Sequence, residues 1–117
     1  MLIDQIRGED LDEFFESLLI LKTVEECYKF FDDLCTVKEM NTMFQRFKVA
    51  KALYYNKTYQ EIEEGIGASA ATISRVKRSL YHGNNMYDVV FDRMQAAKQE
   101  SQSETTFEHV YEAISSN

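Results

Sequence analysis

Apolar residues recur along this chain at intervals of three and four positions, which is the spacing of one face of an α-helix. Strands need frequent turn residues between them, but the chain has only four glycines and no proline. The pattern therefore predicts an all-α fold of helices joined by short loops. The predicted helices have these approximate ranges: 9–21, 24–34, 37–55, two short helices within 58–80, and 86–97.

Three threonines mark helix starts, because each is followed three positions later by a glutamate: Thr23, Thr36 and Thr58. In such a capping box, the threonine oxygen accepts a hydrogen bond from an amide one turn on, and the glutamate reaches back to the threonine amide. One match carries little weight, but three that each open an apolar-periodic segment support the helical assignment. Asn56 is predicted to end the long third helix, and Asn85 to cap the last one.

The first two predicted helices have wide apolar faces that are rich in Phe and Leu. A chain of 117 residues would struggle to cover them alone, so the simplest prediction is that a second copy buries them in a homodimer. A self-contained helical bundle is the alternative. The residues that form these faces are Leu11, Phe14, Phe15, Leu18, Leu19, Cys27, Phe30, Phe31 and Leu34.

No stretch of the chain has the roughly 18 consecutive apolar residues of a membrane helix, and the N-terminus lacks the basic and apolar regions of a signal peptide. We therefore expect a cytoplasmic protein with no membrane partner. Cys27 and Cys35 fit that compartment as free, buried thiols, since no second pair of zinc ligands lies near them. Residues 1–97 are predicted to form one domain, and residues 98–117 a polar, flexible tail with room for one short helix.

The charge of the chain is unevenly distributed. The net charge is -7, which does not suit a DNA-binding protein at first sight. Residues 44–82, however, carry seven basic and three acidic side chains, whereas the segments on both sides are acidic. Since phosphate attraction depends on the potential within a Debye length of about 8–10 Å, this basic segment can bind DNA despite the sign of the whole chain.

Residues 58–80 have the form of a helix-turn-helix. A short first helix is capped by Thr58 and places Ile62 and Ile66 inward. Gly67 lies where the chain must reverse with little room for a side chain, and Ser69 is placed to cap the second helix. This hairpin is the candidate DNA-binding unit; the alternative is an ordinary αα-hairpin whose charges face water.

The second helix of this hairpin has two different sides. Ile73, Val76 and Leu80 share one side, and small or basic residues occupy the other. Small residues let the backbone approach the major groove, and an arginine can bind guanine O6 and N7 with two parallel hydrogen bonds. Lys77 lies nearer the apolar side and is predicted to reach a phosphate. The predicted DNA-binding residues are Ser69, Ala70, Ala71, Thr72, Ser74, Arg75, Lys77, Arg78 and Lys57. Of these, Arg75 and Arg78 are the best candidates for sequence specificity.

The segment Gly67-Ala68-Ser69-Ala70-Ala71-Thr72-Ile73-Ser74-Arg75 resembles the tryptophan-repressor superfamily, in particular its YerC/YecD branch in Gram-positive bacteria. The resemblance covers roughly residues 23–86. It implies an all-helical, interlocked homodimer in which two recognition helices, related by a two-fold axis, read a palindromic operator.

The corepressor site of that superfamily is changed in this chain. Thr72, Arg75 and Ser79 align with three positions that hold tryptophan in the tryptophan-binding member. The glycine beside the indole is Val76 here, and the arginine near the start of the long helix is Gln45. We therefore expect no cofactor and weak or absent tryptophan binding, and the resemblance leaves any other effector unassigned.

The sequence supports three classes of function unequally. It predicts a sequence-specific, dimeric transcription regulator, with repression as one candidate direction of regulation. The alternative is a protein-interaction adaptor that keeps the fold but not operator binding. An enzyme is the weakest reading, because the two histidines lie apart in a loop and in the tail, and no nucleophile motif or phosphate-binding loop is present. No catalytic or metal-binding residue is predicted.

Overall fold

The computed structural model describes the backbone of residues 1–115 and the side chains of residues 1–102. Within these residues every regular element is a helix, which confirms the predicted all-α fold. A short 3₁₀ helix at Leu2–Ile6, which the sequence pattern did not predict, precedes six α-helices. These are α1 (Glu9–Leu19), α2 (Val24–Leu34), α3 (Val37–Tyr54), α4 (Tyr59–Ile66), α5 (Ala70–His82) and α6 (Met86–Ser115).

All three predicted threonine caps are present. Thr36 and Thr58 form complete capping boxes, in which the threonine oxygen accepts from the glutamate amide and the glutamate carboxylate accepts from the threonine amide. At Thr23 the hydroxyl oxygen accepts from the Glu26 amide at 3.1 Å, but the Glu26 carboxylate binds the amide of Lys22, one residue before the cap. These hydrogen bonds satisfy amides that a helix start would otherwise leave unpaired.

Asn56 is predicted to end α3 and Asn85 to cap α6, and the two differ in how they do so. Asn56 has a φ of 62° and follows α3, where its N–H donates to the Leu53 carbonyl and the Lys57 N–H donates to the Ala52 carbonyl, both at 3.0 Å. This is the Schellman arrangement, so the predicted helix end is confirmed. Asn85 also has a positive φ, of 61°, rather than the extended backbone of an N-cap. It nevertheless directly precedes α6, and its carbonyl accepts a hydrogen bond from the Val89 N–H at 3.3 Å, so Asn85 occupies the predicted position without the usual N-cap backbone.

The chain divides into two compact units, and the boundary lies within α3, between Phe47 and Lys48. In the first unit, none of the described side chains is buried, although α1 and α2 have the predicted apolar faces. A groove of about 540 Å³ opens in this unit. Its lining is mostly apolar and includes Phe31, Met40 and Phe44. The apolar surface that a folded chain usually covers thus remains open here.

Both cysteines line this groove as free thiols. Cys27 is exposed and Cys35 is half-buried, so the prediction of buried thiols is wrong for the single chain. The reason is that the apolar side of α2, on which they were expected to be covered, lies open to the groove rather than under another element of this unit.

The second unit contains the buried core of the described residues. Its members come from four helices, which explains why this unit can hold the hairpin in a fixed conformation. They are Val49 and Ala50 of α3, Ile62 of α4, Ile73 and Val76 of α5, and Phe91 of α6. The Tyr54 ring packs on Phe91 at a centroid distance of 5.2 Å.

Polar contacts add to the attachment of α3 to α6. The Tyr54 hydroxyl donates to the Asp92 carboxylate, and the Gln95 amide donates to the Tyr55 hydroxyl at 3.1 Å. The hydrogen bond to Asp92, with a smaller contribution from burial, raises the pKa of Tyr54 to about 12. Tyr54 therefore stays protonated at neutral pH and can donate its hydroxyl hydrogen to the Asp92 carboxylate.

The last helix departs from its predicted length. The sequence predicts an end near Ala97, but α6 continues to Ser115. Residues 98–106 contain no glycine or proline, and Lys98, Gln99 and Glu100 are good helix formers, so a lack of apolar residues does not end the helix. Within the part of the chain that the structure describes, no helix is apolar over a length that would cross a membrane.

Candidate nucleic-acid interface

The turn between α4 and α5 has its glycine at the predicted position, but the predicted lack of room is wrong, since a Cβ at Gly67 would meet nothing within 4 Å. Gly67 caps α4 with a φ of 74° and a ψ of 20°, and its N–H donates to the Glu63 carbonyl at 3.1 Å. This left-handed conformation strains residues with a Cβ, so glycine is favoured at this position. Ile62, one turn earlier, is buried and fixes α4 against the core.

Ser69 begins the second helix of the hairpin, as predicted. Its hydroxyl oxygen accepts a hydrogen bond from the Thr72 amide at 3.2 Å and lies 3.0 Å from the Thr72 hydroxyl. Ser69 and Ala70 are exposed, whereas Thr72 is half-buried. The start of α5 is thus held by side-chain contacts, and its first residues face solvent.

The two sides of α5 differ as the apolar spacing predicts. Ile73 and Val76 are each only 2% exposed, and Leu80 is half-buried beside them. On the opposite side, Ala71, Ser74, Arg75 and Arg78 are all exposed, whereas Thr72 and Lys77, which are also predicted to bind DNA, are half-buried. The exposure of the first four follows from geometry, because the side of α5 that carries Ile73 and Val76 is buried in the core.

The Arg75 and Arg78 side chains have the freedom that base or phosphate recognition needs. Among the side chains that the structure describes, neither guanidinium group takes part in an ion pair. The α5 sequence contains no acidic residue, whereas the acidic residues of this hairpin all lie on α4. The positive potential is therefore concentrated on the exposed side of α5.

The other two predicted cations of the site have partners within the chain. The Lys57 ammonium lies 3.7 Å from the Glu61 carboxylate, one turn along the chain. The Lys77 ammonium lies 4.7 Å from the centre of the Tyr59 ring and 5.9 Å from that of Tyr81. A hydrogen bond with the Tyr59 side chain, and the charge interaction with the same group, raise the pKa of Lys77.

The aromatic neighbours of Lys77, Tyr59 and Tyr81, were not predicted from the sequence. Tyr59 is 43% exposed at the first residue of α4, and Tyr81 is 73% exposed. The spacing of four from Lys77 to Tyr81 on α5 is a local signal that could have indicated their contact. No spacing rule links Lys77 to Tyr59, which lies on the other helix.

The positions that align with the corepressor site fall in both units of the chain. Val76 lies within the core of the second unit. On α5, the Ser79 hydroxyl donates to the Arg75 carbonyl at 3.4 Å, and Thr72 contacts Ser69. In the first unit, the Gln45 side-chain oxygen is buried and accepts no hydrogen bond from the described residues. No effector is assigned to these residues.

Comparisons with known proteins agree on one family. The family model described as Trp repressor protein matches residues 9–95. The chain is 52% identical over 103 residues to the uncharacterized protein YerC of Bacillus subtilis (strain 168), a match that covers 88% of this chain and 99% of YerC. The family match points to a DNA-binding regulator rather than to an enzyme.

Two crystal structures resemble this chain in sequence and in fold. A candidate Trp repressor from Staphylococcus aureus superposes with a TM-score of 0.79 at 54% identity, covering 81% of this chain and 95% of that chain. A TrpR-like protein from Eubacterium eligens ATCC 27750 superposes with a TM-score of 0.76 at 46% identity, covering 79% and 95%. Both confirm the resemblance stated from the residues of the hairpin.

Proposed function

We propose that this chain, which belongs to the Trp repressor family, is a transcription regulator that binds specific sequences of duplex DNA as a homodimer. In this proposal α5 is the recognition helix, and its N-terminal half enters the major groove. The observation that carries it is the exposed side of α5, where Arg75 and Arg78, which form no ion pair with the described residues, share a surface with the small residues Ala71 and Ser74. Binding and release at an operator need no catalytic group.

Each feature of this side has a role in recognition. Ala71 and Ser74 add little bulk, so the α5 backbone can approach the base edges closely. Arg75 and Arg78 can each donate two parallel hydrogen bonds to a guanine or bind a phosphate. The amides at the start of α5 and the Ser69 hydroxyl are placed for a phosphate oxygen.

The open apolar surface of the first unit supports the homodimer. Fourteen large hydrophobic side chains between Met1 and Phe44 are more than a third exposed, and the described side chains of this unit are never fully buried. A second copy would present the same apolar surface, and a two-fold axis would let each cover the other. It would also supply the second recognition helix that a palindromic operator requires.

The direct test of this function is charge reversal on α5. We expect the double variant Arg75→Glu, Arg78→Glu to lose at least about 100-fold in affinity for a selected operator, because each arginine contact with a base is worth about 1–3 kcal/mol and the reversal adds repulsion. The matched control is Arg93→Glu, an exposed arginine of α6 outside the proposed interface. It should keep nearly the full affinity.

The salt dependence of the affinity is a second test of whether the chain binds DNA through phosphate contacts. For the wild-type chain, the logarithm of the binding constant should fall linearly with the logarithm of salt concentration, by about 0.9 for each phosphate contact. A nearly salt-independent affinity would contradict the proposal, and so would a reversed variant that still binds the operator like the control. A folded wild-type chain that binds no DNA would favour the adaptor instead.

A further inference from the structure

Lys77 stands apart from the other cations of the hairpin because two aromatic rings surround its ammonium group. One ring, Tyr59, belongs to the first residue of α4, and its centroid lies 4.7 Å from the ammonium nitrogen. The other, Tyr81, lies one turn farther along α5 at 5.9 Å. Both distances are within the roughly 6 Å over which a cation is attracted to the face of an aromatic ring.

The position of Lys77 on α5 directs it away from the exposed arginines. At about 100° per residue, Lys77 lies about 100° around the helix from Arg78 and about 160° from Arg75. It is half-buried, whereas both arginines are exposed. The lysine thus lies on the flank of α5 that faces the start of α4, beside the side chains that fix α5 in the core.

We propose that Tyr59 and Lys77 form an interhelix clamp that sets the orientation of α5 relative to α4, and that Lys77 is a positioning residue rather than a phosphate ligand. This inference rests on the proposed DNA-binding function and deepens it. It revises the sequence-based expectation that Lys77 reaches a phosphate. Tyr81 covers the second side of the ammonium and keeps it over the Tyr59 ring.

The clamp would help a protein that recognises specific base pairs, because it restricts the orientation of the recognition helix. Bidentate contacts from Arg75 and Arg78 need the axis of α5 at a fixed angle in the groove, while contacts with phosphates tolerate small rotations. The apolar core fixes α5 on one side only, through Ile73 and Val76. A second contact, on the flank between the two helices, restricts the remaining rotation.

A double-mutant cycle on the free protein tests whether the clamp exists. Lys77→Met keeps the length of the side chain but removes the charge, and Tyr59→Leu removes the ring. Each should lower the folding equilibrium constant about two- to fivefold in urea unfolding, the effect expected of an exposed cation–π contact. The double variant should lose little more than either single one, and Lys77→Arg should retain most of the stability. Additive losses would overturn the clamp.

DNA binding then separates positioning from phosphate contact, at a temperature where every variant is folded. Lys77→Met should lower the ratio of operator affinity to non-specific affinity about two- to fivefold, and it should leave the salt slope unchanged. The matched variant Arg78→Met should reduce the slope if Arg78 meets a phosphate, or lower the operator affinity alone if it reads a base. A drop of about 0.9 in the slope for Lys77→Met would identify a phosphate ligand and overturn the inference.

The failure of the proposed function would look different. If the wild-type chain binds no DNA at any salt concentration, the regulator proposal fails, while the stability cycle still decides whether Tyr59 and Lys77 are coupled. Three results together support the inference. Tyr59 and Lys77 are coupled in the stability cycle, and the wild-type chain binds DNA. Lys77→Met lowers the ratio of operator to non-specific affinity and leaves the salt slope of binding unchanged.

Discussion

Neighbouring basic residues of α5 have different surroundings, and those surroundings determine what each side chain can do. The Arg78 guanidinium is exposed and forms no ion pair with the described residues. Lys77, one residue earlier, lies over the Tyr59 ring. A cation that already has a favourable contact gains less from meeting a phosphate, because it must first give up that contact. Charge counts along the sequence therefore overstate the number of cations available to DNA.

Val76 predicts a loss of tryptophan binding. The aligned position in the tryptophan-binding member of the family is a glycine beside the indole, and Val76 is 2% exposed within the core of its unit. A calorimetric titration of the protein with L-tryptophan, with and without operator DNA, should give no saturable heat. A saturable titration with one site per chain would contradict this prediction.

Tyr54 predicts a stability that depends on alkaline pH. Its folded-state pKa is about 12, against an ordinary value of 10.0, because Asp92 accepts its hydrogen bond. Since the raised pKa belongs to the folded state, the extra stability is fully present below pH 10 and is lost as the pH rises towards about 12. Below pH 10, Tyr54→Phe should therefore be less stable than the wild type in urea unfolding.

The pH dependence of that difference is the decisive readout. The difference in unfolding free energy between the wild type and Tyr54→Phe should shrink between pH 10 and about 12. Asp92→Asn removes the carboxylate but keeps an acceptor, so it should weaken this pH dependence. A difference that stays constant across the window would show that Tyr54 has no shifted titration.

Helix periodicity predicted which residues of α5 face outward but not what they touch. The spacing of Ile73, Val76 and Leu80 determines the inner side, and the opposite side follows from geometry. Tyr59, one partner of Lys77, and Asp92, the acceptor of the Tyr54 hydroxyl, lie on other helices; Asp92 is 38 positions after Tyr54. Contacts over such separations depend on how the helices pack, which a single sequence does not encode in a local pattern.

At the scale of elements, the two glycines near the end of α4 should respond to substitution in opposite directions. Gly67 has a φ of 74°, so Gly67→Ala should destabilise the protein by about 1–2 kcal/mol through backbone strain alone. Gly65 lies within α4, and a Cβ there would meet nothing within 4 Å. Gly65→Ala should stabilise the protein by about 0.5–1 kcal/mol.

Urea unfolding at a constant m-value provides the comparison for both variants. Because the two positions are only two residues apart and both have open space for a Cβ, the opposite signs isolate the backbone conformation as the cause. If Gly67→Ala were as stable as the wild type, the turn could adopt a conformation without a positive φ at residue 67. That result would contradict the claim that the turn holds α4 and α5 in one fixed geometry.

Elements with strong local signals were predicted well, and those without them were not. The capping boxes at Thr36 and Thr58, the Gly67 turn and the Asn56 helix end are all short-range patterns, and the structure confirms each one. The predicted end of α6 is wrong because a polar segment can be helical without an apolar side. Hydrophobic periodicity detects helices that pack, and it misses helical segments that depend on propensity.

At the scale of the whole molecule, the open apolar surface of the first unit predicts an obligate partner. Sedimentation velocity at micromolar concentration should give twice the mass of one chain. Phe31→Glu, in the groove of this unit, should shift the protein to monomer or unfold it, whereas Lys29→Glu, an exposed position of α2 outside the groove lining, should not. A well-folded wild-type monomer would contradict the homodimer.

Selection of binding sites from random duplex DNA, read out by sequencing, tests the central claim most directly. For the wild-type protein we predict strong enrichment of a palindromic site whose half-sites lie about one helical turn, or ~10 base pairs, apart. The Arg75→Glu, Arg78→Glu variant should enrich no sequence, and Arg93→Glu should enrich the same site as the wild type. A folded wild-type protein that enriches no sequence, or enriches the same site after the charge reversal, would contradict recognition through α5.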